Sequence, residues 1–254
     1  MILAIDIGNS NIVMGCIDND EILFRERVST NHTATDLEYA ANMKMAMDMH
    51  GIDPKTIDGA IISSVVPSVT NTCKKAVEKY LGVNVKVVGP GIKTGLSIVI
   101  DNPAQLGSDL VVDAVAGINE YPAPMILIDM GTATTVSVID NNKNYLGGMI
   151  MTGMAVSTDA LISRTAQLPK IAFEKPKKVI GSNTIDCMKS GIMYSNACAL
   201  DGVIDRIEEE LGEKCTVVAT GGLSGVVVPL CRKDIILDDD LLLKGLNIIY
   251  KKNI

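Results

Sequence analysis

The feature of this chain that most limits its fold is an internal repeat. Residues 2–19 and 125–142 share one pattern: an apolar run, then Asp-x-Gly with short polar residues, then a second β-rich run. Asp6 matches Asp129 and Gly8 matches Gly131 at an offset of 123 residues. Each copy is predicted to form a β-hairpin with a polar tip. Because the offset is nearly half of the 254 residues, a duplicated domain is favoured over two hairpins that share a turn type by chance.

Helices and strands are predicted to alternate outside the two hairpins. Thr35 and Glu38 have the spacing of a capping box at a helix start, and Gly51 follows that helix. The alternation indicates the α/β class, with an N-terminal lobe over 1–115 and a C-terminal lobe over 116–254. The predicted helices cover 35–50, 68–81, 108–120, 157–164, 183–211 and 240–252; the predicted strands outside the hairpins cover 58–67, 83–88 and 216–219.

The charge and composition exclude several classes of partner. The net charge is −7 with a pI near 4.9, and the chain has two His and two Phe. Nucleic-acid binding needs a basic surface and aromatic side chains, so no nucleic-acid partner is expected. No uninterrupted apolar run approaches a membrane span, and the N-terminus lacks the basic region of a signal peptide. The six cysteines form no C-x-x-C pair, which indicates reduced thiols in the cytoplasm and no zinc site.

Three Gly-containing turns could hold a nucleotide. Asp6-Ile7-Gly8-Asn9-Ser10-Asn11 combines a carboxylate with a flexible backbone and short neutral donors. Such a turn can surround phosphate oxygens with N–H groups, while Asp6 can bind Mg²⁺ or its water shell. Asp129 to Thr135 has the same chemistry. Ala219-Thr220-Gly221-Gly222-Leu223 follows a predicted strand and suits a base or ribose, although a plain strand-to-helix turn is equally open.

The ordered set of motifs resembles the acetate kinase, sugar kinase, Hsp70 and actin superfamily, and more closely the type III pantothenate kinases. The resemblance covers essentially the whole chain, and it implies duplicated actin-like (ribonuclease H-like) lobes with a cleft between them. The motifs are Asp6-Ile7-Gly8-Asn9-Ser10-Asn11, Ser64-Val65-Val66-Pro67, the segment 88–96, Asp101-Asn102-Pro103, Leu106-Gly107-Ser108-Asp109, the segment 129–135, Gly147-Gly148-Met149-Ile150, Thr165-Ala166-Gln167-Leu168-Pro169 and the segment 219–223.

The resemblance implies ATP-dependent phosphorylation of the primary hydroxyl of pantothenate, the first step of coenzyme A synthesis. It also implies Mg²⁺, a monovalent cation (potassium or ammonium) and a homodimer. Asp109 would be the general base, Asp6 would lie near Mg²⁺ and Asp129 near the monovalent cation. The other implied contacts are Gly8, Asn9, Ser10 and Asn11 in the first phosphate loop, Gly131, Thr132 and Thr134 in the second, Gly221 and Gly222 at adenosine, Gly107 and Ser108 at the acceptor, and Thr184 at the partner's pantothenate site.

The chemistry of phosphoryl transfer is compatible with a carboxylate base. The transition state is loose, so positioning and charge neutralisation dominate. Asp109 is predicted to lie near a helix start, where the positive end of the helix dipole favours the ionised form. The alternative is that Asp109 is a structural acid at a helix N-terminus.

Four positions depart from the family pattern. Leu110 replaces an Arg that helps to bind the pantothenate carboxylate, and Ile100 replaces a Tyr; in addition, Ser137 replaces an Asp and Thr152 a Pro. A lost charge-assisted hydrogen bond costs about 1.5–3 kcal/mol. The departures leave two alternatives open: a kinase of the same fold for another small hydroxy acid, and a non-catalytic regulatory relative.

Overall fold

The computed structural model describes all residues from Met1 to Ile254. It contains two mixed β-sheets with helices packed against them, in the α/β class that the sequence predicted. No helix is both long enough and apolar enough to cross a lipid bilayer. The strands are β1 (Ile2–Ile7), β2 (Asn11–Asp18), β3 (Glu21–Ser29), β4 (Gly59–Ser64), β5 (Val85–Val87), β6 (Ser97–Ile98), β7 (Met125–Met130), β8 (Ala133–Ile139), β9 (Asn144–Thr152), β10 (Thr216–Thr220) and β11 (Ile236–Leu237); the helices are α1 (Asp36–Met49), α2 (Pro67–Leu81), α3 (Ser108–Glu120), α4 (Met154–Ser163), α5 (Thr184–Leu211), α6 (Ser224–Val227) and α7 (Leu241–Lys251).

The two sheets have the same topology, which confirms the duplication. The first sheet has the order β3-β2-β1-β4-β5, and the second contains the corresponding order β9-β8-β7-β10-β11, with β6 added beside β9. In both sheets the first two pairings are antiparallel and the last two are parallel. Each predicted hairpin continues into a third strand, β3 or β9, that the sequence analysis did not assign.

The strand register corrects one detail of the repeat. Ile7 faces Ile12 across the first hairpin, whereas Met130 faces Thr134 across the second, so the second turn is one residue shorter. The constant offset therefore holds up to the turn and shifts by one residue after it. Ile12 is the structural counterpart of Thr134, not of the residue that follows Thr134.

The helix boundaries follow local capping chemistry. Thr35 and Glu38 form the predicted capping box at the start of α1, with Thr35 N–H donating to Glu38 Oε2 at 2.7 Å. Pro67 was predicted to stop a strand; in the structure it also begins α2, where its fixed φ suits the first turn. Gly82 ends α2 with φ +67°, a left-handed conformation that favours glycine.

The chain divides into two compact units. The first unit comprises 1–96, 101–120 and 240–254; the second comprises 97–100 and 121–239. The predicted boundary between 115 and 116 differs from this division, because α3 belongs wholly to the first unit and α7 returns to it. Gly245 of α7 packs so closely on α3 that a Cβ at this position would meet the Val112 carbonyl.

Apolar side chains from the sheet and helices form a separate core in each unit. In the first unit, Leu3, Ile5, Ile7 and Ile12 from β1 and β2 pack with Met43 of α1 and with residues of α2. In the second unit, β7, β8 and β10 pack against one face of α5. Both cores hold the carboxyl ends of the parallel strands in place, and Asp6 and Asp129 lie near those ends.

Candidate active site

In the first unit, two parallel strands end beside each other and bring polar side chains together. Asp6 of β1 is in register with Ser63 of β4, and Ile7 is in register with Ser64. Val65 N–H donates to Ile7 O at 3.1 Å, so the chain leaves both strands at the same edge. In open α/β sheets ligands bind at the carboxyl ends of the strands, which is where Asp6 lies.

The turn from Gly8 to Asn11 is held by hydrogen bonds to its carbonyl groups. Gly8 N–H donates to Asn11 O at 3.0 Å. Thr30, directly after β3, donates from Oγ1 to Gly8 O at 2.6 Å and from its N–H to Ser10 O at 3.0 Å. Because the Gly8 and Ser10 carbonyls bond to Thr30, they are turned toward Thr30 and not toward a ligand at the exposed tip. The sequence analysis missed Thr30, since a lone threonine after an unassigned strand gives no signal.

Asp109 is the second residue of α3, as the sequence predicted. Its Oδ1 accepts from the Leu110 N–H at 2.8 Å. A Cβ at Gly107 would meet Asp109 Oδ1, so the absence of a side chain at Gly107 leaves room for the carboxylate.

The pKa of Asp109 shifts in the direction opposite to the one expected from the helix dipole. Burial raises the pKa of the Asp109 carboxyl above its ordinary value, and the backbone N–H groups of Leu110 and Asp109 oppose that rise without cancelling it. Desolvation, and not the helix dipole, therefore dominates. A raised pKa makes the ionised carboxylate a stronger base.

In the second unit, Asp129 and the Thr220-Gly221-Gly222 turn are neighbours. Asp129 of β7 is in register with Thr220 of β10. Gly221 has φ +92°, and a Cβ there would meet both Asp129 Oδ1 and the Met130 backbone. Ser224 Oγ donates to Gly221 O at 2.7 Å and fixes the turn. The structure thus joins two of the motifs that the sequence placed apart, and glycine is required at their contact.

The second phosphate-type turn is supported by close backbone packing. Gly131 N–H donates to Ala133 O at 3.0 Å, and Thr132 is exposed at the tip. A Cβ at Gly153 would meet the carbonyl oxygens of Gly131 and Thr132. This turn therefore rests directly on the backbone that precedes α4.

Thr134 lies on the core face of β8. It is in register with Met130, is 2% exposed, and its Oγ1 has no hydrogen-bond partner. Its assignment to the phosphate loop stays a prediction, because its side chain is directed toward the same core as Met130 and Val136.

Thr184 lies at a separate place in the second unit. It begins α5, whose N-cap Asn183 accepts from Asp186 N–H at 2.9 Å. Thr184 lines a cavity of about 870 Å³ between α4 and α5, together with Leu161, Cys187 and Met188. None of the nucleotide-turn residues lines this cavity.

The four departures from the family pattern have ordinary local environments. Leu110 is half-buried on α3, and Ile100 lies near Gly147. Ser137 Oγ and Tyr145 Oη are 3.0 Å apart and buried. Thr152 is in register with Ala133.

The candidate metal ligands are the carboxylates of Asp6 and Asp129. No group of three or more His, Cys, Asp or Glu side chains is arranged to hold a metal. Asp6 and Asp129 each supply oxygen donors at a strand end, the donor type that Mg²⁺ prefers, and Mg²⁺ commonly takes one or two carboxylates and completes its shell with phosphate and water. The donor set therefore fits cations that bind together with a nucleotide.

Comparison with known proteins assigns the family. Residues 2–206 match the family model for type III pantothenate kinase. The chain is 42% identical over 254 residues to the type III pantothenate kinase of Halalkalibacterium halodurans, with 100% of both chains covered. It is 44% identical over 253 residues to that of Brevibacillus brevis, covering 100% of this chain and 99% of the relative.

A solved structure with much lower identity supports the fold alone. The (R)-2-hydroxyglutaryl-CoA dehydratase component A of Acidaminococcus fermentans superposes with a TM-score of 0.56 at 13% identity, over 100% of this chain and 99% of that chain. The repeated sheets, the two turns with their aspartates and the full-length identity to curated relatives agree, and the chain belongs to the type III pantothenate kinase family.

Proposed function

We propose that this protein transfers the γ-phosphoryl group of ATP to the primary hydroxyl of pantothenate. The product is 4′-phosphopantothenate, and the reaction is the first step of coenzyme A biosynthesis. The observation that carries the proposal is the full-length identity of 42% to a type III pantothenate kinase. The half-buried Asp109 at the start of α3 supplies the chemical group that the reaction needs.

Asp109 acts as the general base. The hydroxyl oxygen of the acceptor forms a bond to the γ-phosphorus, the bond between that phosphorus and the β–γ bridging oxygen breaks, and ADP leaves. The hydroxyl proton passes to the Asp109 carboxylate, whose basicity is increased by burial. Because the transition state is loose, this proton leaves late and the positioning of the base matters more than its strength.

The two polar turns bind the phosphates of ATP. Asn9, Ser10 and Asn11 in the first unit and Thr132 in the second supply backbone N–H groups and short polar side chains. Gly8 and Gly131 shape the two turns, because their own N–H groups bond within them. Gly221 and Gly222 contact the adenosine. The carbonyl groups of Gly8 and Ser10 already bond to Thr30, which favours an anion at the tip, because bonded carbonyls do not repel it. Thr134, at the start of β8, helps to hold the second turn in place.

Asp6 would hold Mg²⁺ and Asp129 the monovalent cation, potassium or ammonium. When bound, these cations neutralise negative charge on the phosphate oxygens. The close approach of Gly221 to Asp129 orients that carboxylate at the strand end.

A homodimer is the proposed assembly, with Thr184 contributing to the pantothenate site of the other copy. The second unit exposes large apolar side chains near α4 and α5: Ile180 is 81% exposed, and Val156, Leu161 and Ile185 are also exposed. Exposed apolar residues around a cavity are typical of a protein interface. We propose no nucleic-acid or membrane partner, and we assign the enzyme to the cytoplasm, where its six free thiols would stay reduced.

A kinase for another small hydroxy acid is the second candidate. It is favoured by Leu110, whose side chain cannot supply the charge of the family Arg. A non-catalytic regulatory role is disfavoured by the retention of Asp109 together with both polar turns.

The test is ADP release with Mg-ATP and potassium, with and without pantothenate. We expect pantothenate-dependent turnover that falls by a factor on the order of 10²–10⁴ in Asp109→Asn, because the base is lost. Asp48→Asn, which alters an exposed acid paired with Lys44, is the control and should keep native turnover. ATP binding without any response to pantothenate would reject this acceptor, and a panel of small hydroxy acids would then test the second candidate.

The raised pKa of Asp109 gives the same experiment a pH signature. Since the base must be ionised, kcat should decline as the pH falls through a pKa above that of an ordinary aspartate. Above that pKa the buried charge destabilises the fold, so Asp109→Asn should unfold at higher denaturant concentration than the native chain near pH 7. That difference should vanish at pH values below the ordinary Asp pKa. A variant that is less stable at pH 7 would contradict the desolvation argument.

A further inference from the structure

A cluster of serine hydroxyl groups connects the end of β4 to the start of α3. Ser108 Oγ lies 3.0 Å from three groups: the hydroxyl of Ser63, the N–H of Ser64 and the carbonyl of Ser64. Ser63 is 0% exposed, and Ser64 and Ser108 are half-buried, so the cluster is largely shielded from water.

The direction of each bond follows from the valence of a hydroxyl group. A serine hydroxyl has one hydrogen to donate and two lone pairs to accept with. The Ser64 N–H can only donate and the Ser64 carbonyl can only accept. Ser108 therefore gives its hydrogen to the Ser64 carbonyl, and Ser63 donates to Ser108. The hydroxyl of Ser108 is fully used, and no donor remains for a substrate.

The cluster extends to the next helix. Thr70 Oγ1 of α2 lies 2.7 Å from Ser64 Oγ, which also accepts from the Val66 N–H at 3.1 Å. The end of β4 is thus fixed on both sides, by α2 and by Ser108 of α3.

Asp109 depends on this connection for its position. Its carboxylate bonds to backbone N–H groups at the helix start and to no side chain. Asp6 is in register with Ser63 on the adjacent strand. The backbone of the first turn of α3 therefore sets where the carboxylate stands relative to the Asp6 edge.

We infer that the Ser108 side chain has a positioning role: its hydroxyl, supported by Ser63, joins the first turn of α3 to β4 and sets the Asp109 carboxylate in place. The inference rests on the proposed role of Asp109 as the base. It concerns the hydroxyl group alone, and the acceptor contact that the family resemblance implied for Ser108 stays a prediction for its backbone.

Steady-state kinetics of three variants test the inference. Ser108→Ala should lower kcat by about tenfold to a hundredfold, because displacing a base by about 1 Å has effects of this size. The KM values for ATP and pantothenate should stay within twofold of native. Ser63→Ala removes one of the three bonds and should lower kcat less. Ser108→Thr keeps the hydroxyl and should restore kcat to within threefold of native.

A matched control separates positioning from loss of stability. Tyr39→Phe removes another hydroxyl of the first unit, which donates to Asn31 O at 2.7 Å from a residue 2% exposed. Even if Tyr39→Phe loses as much stability as Ser108→Ala, it should keep the native kcat. An equal fall of kcat in Tyr39→Phe and Ser108→Ala would overturn the inference. A rise in the pantothenate KM at native kcat in Ser108→Ala would overturn it in favour of acceptor binding.

Hydrogen exchange supplies a readout that does not depend on activity. Ser108→Ala should increase exchange at least tenfold in the peptide covering 107–112, with no change over α1. If the native chain shows no pantothenate-dependent turnover, the proposed function fails while this measurement still tests the connection. Unchanged exchange over 107–112 would overturn the inference even in an active kinase.

Discussion

The two hairpins of the repeat have the same strand pairing but are supported differently. In the first unit the turn spans residues 8–11, Thr30 bonds to its carbonyl groups, and Ile12 fills the core position behind it. In the second unit the turn spans residues 131–133, Gly153 packs on its carbonyl groups, and Thr134 occupies the equivalent core position. The duplicated topology thus tolerates different turn lengths and different support.

The difference shows which part of the repeat is constrained. Strand pairing and the aspartate at the strand end are kept in both copies. The core residue after the turn differs between the copies, and in the second copy Thr134 carries a buried hydroxyl group without a partner. The first hairpin has an apolar side chain at the position where the second has a hydroxyl group, and four substitutions can break or sharpen this contrast.

The largest loss of stability is expected when Ile12 of the first hairpin is replaced by threonine, the residue at the equivalent position 134 of the second. Ile12→Thr should destabilise the fold by about 2–4 kcal/mol, because it removes buried carbon atoms and leaves a hydroxyl unsatisfied. Chemical denaturation measures the change. Ile12→Val is the control and should cost about 1 kcal/mol. Equal values for the two variants would mean that the core around Ile12 can satisfy a hydroxyl.

Gly153→Ala tests the support of the second turn. The new Cβ would overlap the carbonyl oxygens of Gly131 and Thr132, so we expect a loss of about 1–3 kcal/mol and a raised KM for ATP. Gly202→Ala on α5, where a Cβ has no neighbour within 4 Å, should be neutral or stabilising by up to about 1 kcal/mol. If the Gly153 variant behaved like this control, the turn would not rest on the backbone before α4.

Thr30→Val tests the support of the first turn. It removes the bond to the Gly8 carbonyl at 2.6 Å but keeps the N–H that binds Ser10. We expect a loss of about 1 kcal/mol and an increase in the KM for ATP, since a freed carbonyl can turn toward the phosphates. Thr33→Val, which alters an exposed hydroxyl bonded to Asn31, should leave the KM unchanged. If Thr30→Val kept the native KM for ATP, Thr30 would have no role in ATP binding.

The smallest expected effect is a gain in stability instead of a loss. Thr134→Val removes a buried, unpartnered hydroxyl and keeps the shape of the side chain, so it should stabilise the fold by up to about 1 kcal/mol. Thr158→Val is the matched control: its hydroxyl is buried but donates to Met154 O at 2.7 Å, and its loss should destabilise. A tenfold rise in the KM for ATP in Thr134→Val would instead support the phosphate role predicted from the sequence.

Local chemistry explains what the sequence could predict. The start of α1 was predicted from Thr35 and Glu38, and its end from Gly51, because caps depend on neighbours in the chain. The Asp-x-Gly turns were predicted because their spacing is short, whereas the role of Asp109 was implied by the family resemblance.

Contacts between distant segments could not be predicted in the same way. Strand β3 is mostly exposed at a sheet edge, so its apolar pattern is weak. The bonds from Thr30 to the first turn and from Ser63 to Ser108 join residues 22 and 45 positions apart, and serine and threonine carry no periodic signal. A comparison of the two copies at the constant offset of 123 residues likewise cannot show that the register shifts by one residue after the turn.

The return of α7 to the first unit has a consequence for synthesis on the ribosome. Asn247 and Lys251 of α7 bond to Asp20, and the buried leucines Leu241, Leu243 and Leu246 belong to the same unit as β1. The N-terminal sheet therefore lacks part of its core until residue 251 has left the exit tunnel. Residues 121–239 form nearly all of the other unit and emerge earlier. Since domains fold as units once their residues are available, the half of the protein that is translated first is the half that completes its folding last.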